Sequence, residues 1–130
     1  MRRTILIIED DADIRALLVR FCERLGFQAS VIAESRFFDA SFDLAQQEAI
    51  VGVITDIFMP GKSGIEVIQE IKERTPDVKV VAISGGWSVD GSMNDALTAA
   101  QKLGVDAALP KPFTQDQLKE ALATAGVVLD

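Results

Sequence analysis

The sequence contains no histidine, no tyrosine and a single cysteine, Cys22. The lack of histidine excludes a Ser-His-Asp triad, a Cys-His catalytic pair and any zinc site built on imidazole ligands. One cysteine cannot form an internal disulfide, so nothing indicates an oxidising compartment. The periodicity places Cys22 on the apolar side of a helix, and we expect a small buried hydrophobic residue rather than a redox sensor.

Positive charge is also scarce, with 13 basic against 20 acidic residues and a net charge of −7. A protein that binds nucleic acid directly usually presents a basic face, because it must neutralise phosphates. We therefore predict that the chain makes no direct contact with nucleic acid.

Long hydrophobic runs are missing as well. The apolar run at 4–8 ends at Glu9, short of the roughly 7–15 residues of a secretory signal. No other run approaches the ~18 residues that span a bilayer. We predict a cytoplasmic protein without a membrane partner.

The composition that is present is typical of a globular domain, with 48% hydrophobic and 25% charged residues in a chain of 130. No repeat, linker or low-complexity tract divides the sequence, and this length suits one domain. We predict a single domain over 1–130.

Short β-branched apolar runs alternate with amphipathic stretches, which is typical of an α/β fold. Strands are predicted at 4–8, 28–32, 51–55, 78–84 and 106–109. Five helices are predicted around 14–25, 38–49, 65–71, 97–103 and 118–125. Nearly continuous apolar strands indicate burial on both faces, and strict alternation indicates a parallel, doubly wound sheet.

Polar side chains follow four of the predicted strands. Glu9, Asp10 and Asp56 follow the first and third strands, Ser84 ends the fourth, and Lys111 follows the fifth. In open parallel sheets the ligand site lies beyond the carboxyl ends of the strands. Clustered carboxylates repel one another unless a cation is present, and oxygen ligands without imidazole or thiolate favour Mg²⁺. With a lysine and a hydroxyl, such a cluster suits phosphoryl chemistry.

Each of these residues also has a purely structural interpretation. Asp11 is predicted to cap the first helix, and Asp13 to complement the helix dipole. Taken singly, Asp56, Ser84 and Lys111 resemble ordinary polar residues at strand ends. Their joint occurrence at four strand ends favours a site.

Four motifs occur in order, each at a predicted strand end: 7–11 (IIEDD), 55–60 (TDIFMP) with Gly64, 83–85 (ISG) and 109–113 (LPKPF). In these motifs the chain resembles the receiver domains of the two-component response-regulator family, which include the bacterial chemotaxis receiver. The resemblance extends over essentially the whole chain. It implies a flavodoxin-like fold with strand order 2-1-3-4-5 and five helices, and a receiver domain over 1–130 with no output domain.

The resemblance also implies roles for individual residues. Asp56 corresponds to the phosphoacceptor. Asp10, Asp56 and the backbone carbonyl of Phe58 correspond to ligands of Mg²⁺ or Mn²⁺, with Glu9 as a second acid that often acts through water. The residues implied to bind the phosphoryl group are Ser84, Gly85 and Lys111. The residues implied to shape the site are Pro60, Gly64 and Pro112, with a cis Lys111–Pro112 peptide bond.

The implied function is acceptance of a phosphoryl group from a histidine kinase or a histidine phosphotransfer protein. Such a domain is a signalling phosphoacceptor that promotes its own phosphorylation and dephosphorylation, not an enzyme with a separate substrate. The face of the fourth helix, fifth strand and fifth helix is implied to bind a downstream protein. The alternative is a degenerate receiver that acts as an interaction module without phosphorylation. A phosphatase of the haloacid dehalogenase type is disfavoured, since Phe58 stands where that family needs a second aspartate.

Two features depart from the family pattern. Ala108 occupies the position where the family often carries a switching Tyr or Phe. The interval from Ser84 to Lys111 is 111 − 84 = 27 positions, and the extra length falls in 85–92, which contains Trp87. Trp87 either packs over the fourth helix or belongs to a loop that replaces the aromatic switch or forms a partner-docking surface, and these interpretations stay open. A stand-alone receiver and one excised from a longer protein also stay open.

Overall fold

The computed structural model describes residues 3–39, 50–57, 62–84 and 100–127. A short 3₁₀ helix, Ser35–Phe37, follows the second strand. The strands are β1 (Thr4–Ile8), β2 (Gln28–Ile32), β3 (Ile50–Asp56), β4 (Lys79–Ser84) and β5 (Ala107–Pro110). The helices with both ends described are α1 (Ala12–Arg24), α2 (Gly64–Arg74) and α3 (Gln115–Ala125).

The five strands form one parallel sheet in the order β2-β1-β3-β4-β5. This confirms the predicted fold class and strand order. The register pairs Ile8 with Thr55, Asp56 with Ile83, and Ser84 with Pro110. The carboxyl ends of four neighbouring strands therefore lie along one edge of the sheet, which is where the polar motifs sit.

Both faces of the sheet are covered, which explains why the central strands are almost entirely apolar. Ile5 and Ile7 of β1 face the core formed with α1 and α3. Leu6 and Ile8 face the opposite core, formed with α2. All five side chains of β1 are buried, as expected for a strand with helices on both sides.

The first helix begins and ends where local chemistry predicts. The carboxylate of Asp11 accepts hydrogen bonds from the N–H groups of Asp13 and Ile14, which confirms Asp11 as its N-cap. Gly26 follows the helix with a positive φ of 99°. Cys22 is fully buried in the core, and burial raises the pKa of its thiol to about 12. The structure thus places Cys22 as a packed apolar residue.

Four of the five predicted helices are present in the described parts of the chain. The helix predicted around 97–103 is seen only in its last turn, at 100–102, ahead of Gly104 with φ 91°. The helix predicted over 38–49 falls almost wholly outside the described residues, and Phe38 itself is buried but not helical. The described helix count is therefore four rather than five. Among the described residues, no helix has the length and apolar character needed to cross a membrane.

Candidate functional site

Three acidic side chains meet at the carboxyl ends of β1 and β3. Glu9 is 0% exposed and Asp56 is 4% exposed, whereas Asp10 is exposed beside them. Each offers a carboxylate oxygen, and the three oxygens lie within 4.8 Å of one another. The fold brings together the acids that the sequence placed after two different strands.

Lys111, which directly follows β5, forms ion pairs with two of these acids. Its Nζ lies 2.8 Å from Oδ2 of Asp56 and 3.0 Å from Oε2 of Glu9. The backbone N–H of Lys111 donates to the carbonyl of Ser84 over 2.8 Å, and the Lys111–Pro112 peptide bond is cis, as expected. One ammonium group thus bridges two carboxylates that are both removed from solvent.

The electrostatics follow from this burial. Desolvation by burial, reinforced by the charge of Asp56, raises the pKa of Glu9 from 4.5 to about 7. Burial alone would lower the pKa of Lys111, but hydrogen bonds and charge from Asp56 and Glu9 outweigh it and raise that pKa above its usual value. The lysine therefore keeps its positive charge at neutral pH, whereas the pKa of Glu9 lies close to neutral pH.

Ser84 places a hydroxyl at the end of β4. The residue is 0% exposed, and its Oγ has no hydrogen-bond partner among the described residues. A buried hydroxyl without a partner is costly in a folded protein, so it calls for an explanation. A ligand oxygen beside Asp56 would satisfy it.

The donor set also fits a divalent cation. Glu9, Asp10 and Asp56 supply only carboxylate oxygens, which suit hard ions such as Mg²⁺ or Mn²⁺ rather than Zn²⁺. The exposed carboxylate of Asp10 leaves one side of the cluster open to water, and Mg²⁺ usually keeps several water ligands.

Gly64 is required by a close approach of the backbone. Its N–H donates to the carbonyl of Ile57 over 3.0 Å. A Cβ on Gly64 would stand 2.1 Å from the carbonyl oxygen of Asp56 and 2.6 Å from the Cα of Ile57. Gly64 is the first residue of α2 and its φ is not positive, so the close approach, rather than an unusual backbone conformation, requires glycine here. The missing side chain lets the start of α2 lie directly against the segment that carries Asp56.

Two basic residues in the segments that follow the site acids along the chain were not identified from the sequence. Nη1 of Arg15 donates to the carbonyl of Glu9 over 2.9 Å. Nζ of Lys62 donates to the carbonyl of Phe38 over 2.9 Å and pairs with Glu70 over 2.6 Å, just after the segment that follows Asp56. A basic residue in the first turn of α1 was a usable signal for Arg15, whereas the contacts of Lys62 depend on packing between distant segments.

Four residues assigned a role by resemblance lie outside the described parts of the chain: Phe58, Pro60, Gly85 and Trp87. Their assignments stay predictions, as does the interpretation of the 85–92 segment.

The small residue at position 108 has a visible consequence. A groove of about 290 Å³ runs between β5 and α3. Ala107 and Ala108 line its strand side, and Gln117, Glu120 and Thr124 are among the residues that line its helix side. An aromatic side chain at position 108 would occupy space that is open here.

Comparison with known proteins agrees with this geometry. The family model for the response regulator receiver domain matches residues 5–123. The chain is 28% identical to the photosynthetic apparatus regulatory protein RegA of Rhodobacter capsulatus, covering 98% of this chain and 65% of that protein. It is 31% identical to the transcriptional regulatory protein MalR of Bacillus subtilis, covering 92% of this chain and 48% of that one. The chain thus spans less than two thirds of the length of these curated relatives.

Solved structures give the same result at the level of the fold and the family. A response regulator receiver domain protein from Clostridium thermocellum is 28% identical with a TM-score of 0.76, covering 95% of this chain and 93% of that one. A response regulator receiver protein from Pseudomonas putida is 25% identical with a TM-score of 0.78, covering 95% and 97%. With these motifs, this topology and this acidic cluster, the chain belongs to the response regulator receiver domain family.

Proposed function

We propose that the chain accepts a phosphoryl group on Asp56 from a phosphohistidine donor, in a reaction that depends on Mg²⁺ or Mn²⁺, and thereby switches its binding of a partner protein. The donor is a histidine kinase or a histidine phosphotransfer protein. These 130 residues contain no histidine, so the phosphohistidine donor lies outside them.

The two ion pairs of Lys111 are the main observation that supports this proposal. Its ammonium group bridges Asp56 and Glu9 at 2.8 and 3.0 Å. At the end of β4, the strand next to β3, the hydroxyl of Ser84 lacks a partner among the described residues. A phosphoryl group on Asp56 brings new anionic oxygens, and a lysine with an unpaired hydroxyl supplies a cation and a donor for them.

The chemistry requires one bond exchange. A carboxylate oxygen of Asp56 attacks the phosphorus, a P–O bond forms, and the P–N bond to the donor imidazole breaks with its electron pair remaining on nitrogen. To end the signal, water attacks the phosphorus, a new P–O bond forms, and the P–O bond to Asp56 breaks, which releases inorganic phosphate and regenerates the carboxylate. The side chains of this site hold the reacting groups in place and stabilise charge on the phosphoryl oxygens.

The cation of the proposed reaction would be held by Asp10, Asp56 and the backbone carbonyl of Phe58, with Glu9 acting through water. When bound, it would neutralise negative charge on the phosphoryl oxygens and on the acids. Gly85 would contribute to phosphoryl binding beside Ser84 and Lys111.

The proposed output is a change in protein binding at the face of the predicted fourth helix, β5 and α3. Movement of Ser84 toward a phosphoryl group would pull on the end of β4, which pairs with β5 at Pro110. Because Ala108 cannot act as an aromatic switch, the groove beside it is the feature through which a partner would sense this movement. Absence of direct contact with nucleic acid stays a prediction.

The degenerate-receiver alternative is less favoured by the site. Glu9, Asp10 and Asp56 are clustered, and Lys111 contacts the proposed acceptor directly. An interaction module that had lost phosphorylation would have no need for two buried acids and a half-buried lysine, which are costly to desolvate.

Beryllofluoride with Mg²⁺ tests the proposal, because this anion imitates a phosphoryl group on a carboxylate. Fluorine NMR should show bound beryllofluoride on the wild-type chain and no bound signal on Asp56→Asn. The matched control is Asp77→Asn, which alters an exposed aspartate before β4 and should bind like the wild type. Binding that persists in Asp56→Asn, or that never occurs in the wild type, would contradict the proposal.

A further inference from the structure

Arg15 stands where a helix normally disfavours a cation. The first turn of α1 begins after the N-cap Asp11, and Asp13 lies within it. The amino end of a helix carries partial positive charge, so acids are favoured there and a guanidinium group is not. A residue that breaks a local rule in this way is expected to be compensated by another interaction.

The compensating contact is with residues 9–11, the acidic loop between β1 and α1. Arg15 is half-buried, and its Nη1 donates to the backbone carbonyl of Glu9 over 2.9 Å. Helical side chains lean toward the amino end of their helix, so Arg15 reaches back over the loop that precedes α1. The carbonyl it holds belongs to the peptide that joins Glu9 to Asp10.

The same loop is held at three further points. The N–H of Glu9 donates to the carbonyl of Ile32 over 3.2 Å, and the N–H of Asp11 donates to Oε1 of Glu9 over 3.1 Å. The backbone N–H of Arg15 donates to the carbonyl of Asp11 over 2.9 Å. Arg15 therefore contacts the loop on both sides of Asp10, through its side chain and through its backbone.

We infer that Arg15 is a positioning residue, which holds the peptide between Glu9 and Asp10 in the orientation that lets these two acids bind a divalent cation. This inference rests on the proposed function. It assigns Arg15 no contact with the cation or the phosphoryl group, only with the loop that presents the acids.

Simple electrostatics makes the opposite prediction, which makes the inference testable. A guanidinium group close to a cation site repels the cation, so its removal should strengthen cation binding if charge alone matters. If Arg15 orients the loop, its removal should weaken binding, because residues that orient metal ligands typically contribute about 10- to 100-fold to affinity.

The experiment measures Mn²⁺ binding by electron paramagnetic resonance on the full chain, with melting curves in EDTA to verify folding. We expect about tenfold weaker Mn²⁺ binding in Arg15→Met and an intermediate loss in Arg15→Lys, which keeps the charge but shortens the side chain. The control is Arg20→Met, which removes an exposed arginine of the same helix and should stay within about twofold of the wild type because solvent screens it.

The outcomes separate this inference from the proposed function. Wild-type Mn²⁺ binding that is lost in Asp10→Asn but unchanged or tighter in Arg15→Met overturns the role of Arg15 alone. No Mn²⁺ binding by the wild-type chain overturns the proposed function, and the inference with it. If Arg15→Met does not fold, Arg15→Lys decides: a weakening of about threefold or more supports the role, and wild-type affinity overturns it.

Discussion

At the scale of single residues, the site is a balance between two buried acids and a half-buried lysine. Glu9 and Asp56 are both almost completely removed from solvent, and Lys111 is the ammonium group that contacts both. Burial of like charges is unfavourable unless a counter-charge is present. The site is thus arranged to receive further positive charge.

Replacement of Ser84 by alanine should separate function from stability. The hydroxyl lacks a hydrogen-bond partner among the described residues, so its loss should leave the free energy of unfolding unchanged or raise it by about 1 kcal/mol. Affinity for beryllofluoride with Mg²⁺ should fall, because the donor to a ligand oxygen is gone. Urea denaturation and fluorine NMR measure the two effects, and a large loss of stability with unchanged beryllofluoride binding would contradict the assigned role.

Replacement of Glu9 by glutamine should change how stability depends on pH in EDTA. The pKa of Glu9 rises from 4.5 to about 7 on folding, so between these values the folded chain holds more protons than the unfolded chain. The wild type should therefore lose stability relative to Glu9→Gln as the pH rises from 4.5 to 7, by on the order of 3 kcal/mol.

Urea denaturation across this pH range measures the difference. The control is Glu120→Gln, which alters an exposed acid of α3 and should follow the wild-type curve. Parallel curves for the wild type and Glu9→Gln would show that Glu9 ionises normally in the fold.

At the scale of elements, the site depends on how α2 meets the end of β3. The helix has a capping box between Ser63 and Glu66, so its start is stabilised locally. Its first residue, Gly64, also lies so close to the backbone of Asp56 that an added Cβ would clash with it. The helix start therefore determines how the proposed acceptor is presented.

Replacement of Gly64 by alanine should be strongly destabilising. The added Cβ would stand 2.1 Å from the carbonyl oxygen of Asp56, so the helix or the acceptor segment must shift, at a cost of about 3 kcal/mol. Gln69→Ala alters an exposed position of the same helix and should change stability by less than about 0.5 kcal/mol. Chemical denaturation of both variants measures the difference, and similar stabilities would contradict the close approach.

At the scale of the whole molecule, the net charge of −7 is partly concentrated in one place. Glu9, Asp10 and Asp56 lie at one edge of the sheet, where their mutual repulsion opposes folding. A cation that binds the folded chain and not the unfolded chain stabilises the fold by mass action.

Magnesium should therefore raise the melting temperature. At a concentration about 100 times the dissociation constant, bound Mg²⁺ should add about 2.7 kcal/mol to the free energy of unfolding. Asp10→Asn should lose most of this gain, whereas Asp77→Asn should keep it. Thermal denaturation with Mg²⁺ and with EDTA measures the shift, and equal shifts in both variants would place the cation elsewhere.

Local sequence patterns were sufficient for much of the fold. The predicted strands at 4–8 and 28–32 coincide with β1 and β2 at both ends, and the other three agree within one residue at each end. Continuous β-branched runs, caps and glycines act through neighbouring residues, so they can be read without the tertiary structure. The helix predicted at 38–49 lies almost wholly outside the described residues, and the one predicted at 97–103 lies partly outside them.

The sequence by itself determined the element order, the parallel sheet and which acids stand at the strand ends, because these follow from periodicity and short motifs. Only the tertiary structure decided that Lys111 contacts Asp56 across 55 positions, that Glu9 is buried enough to raise its pKa, and that Arg15 holds the acidic loop. Distances, burial and desolvation depend on how distant segments pack together, and no local pattern encodes them.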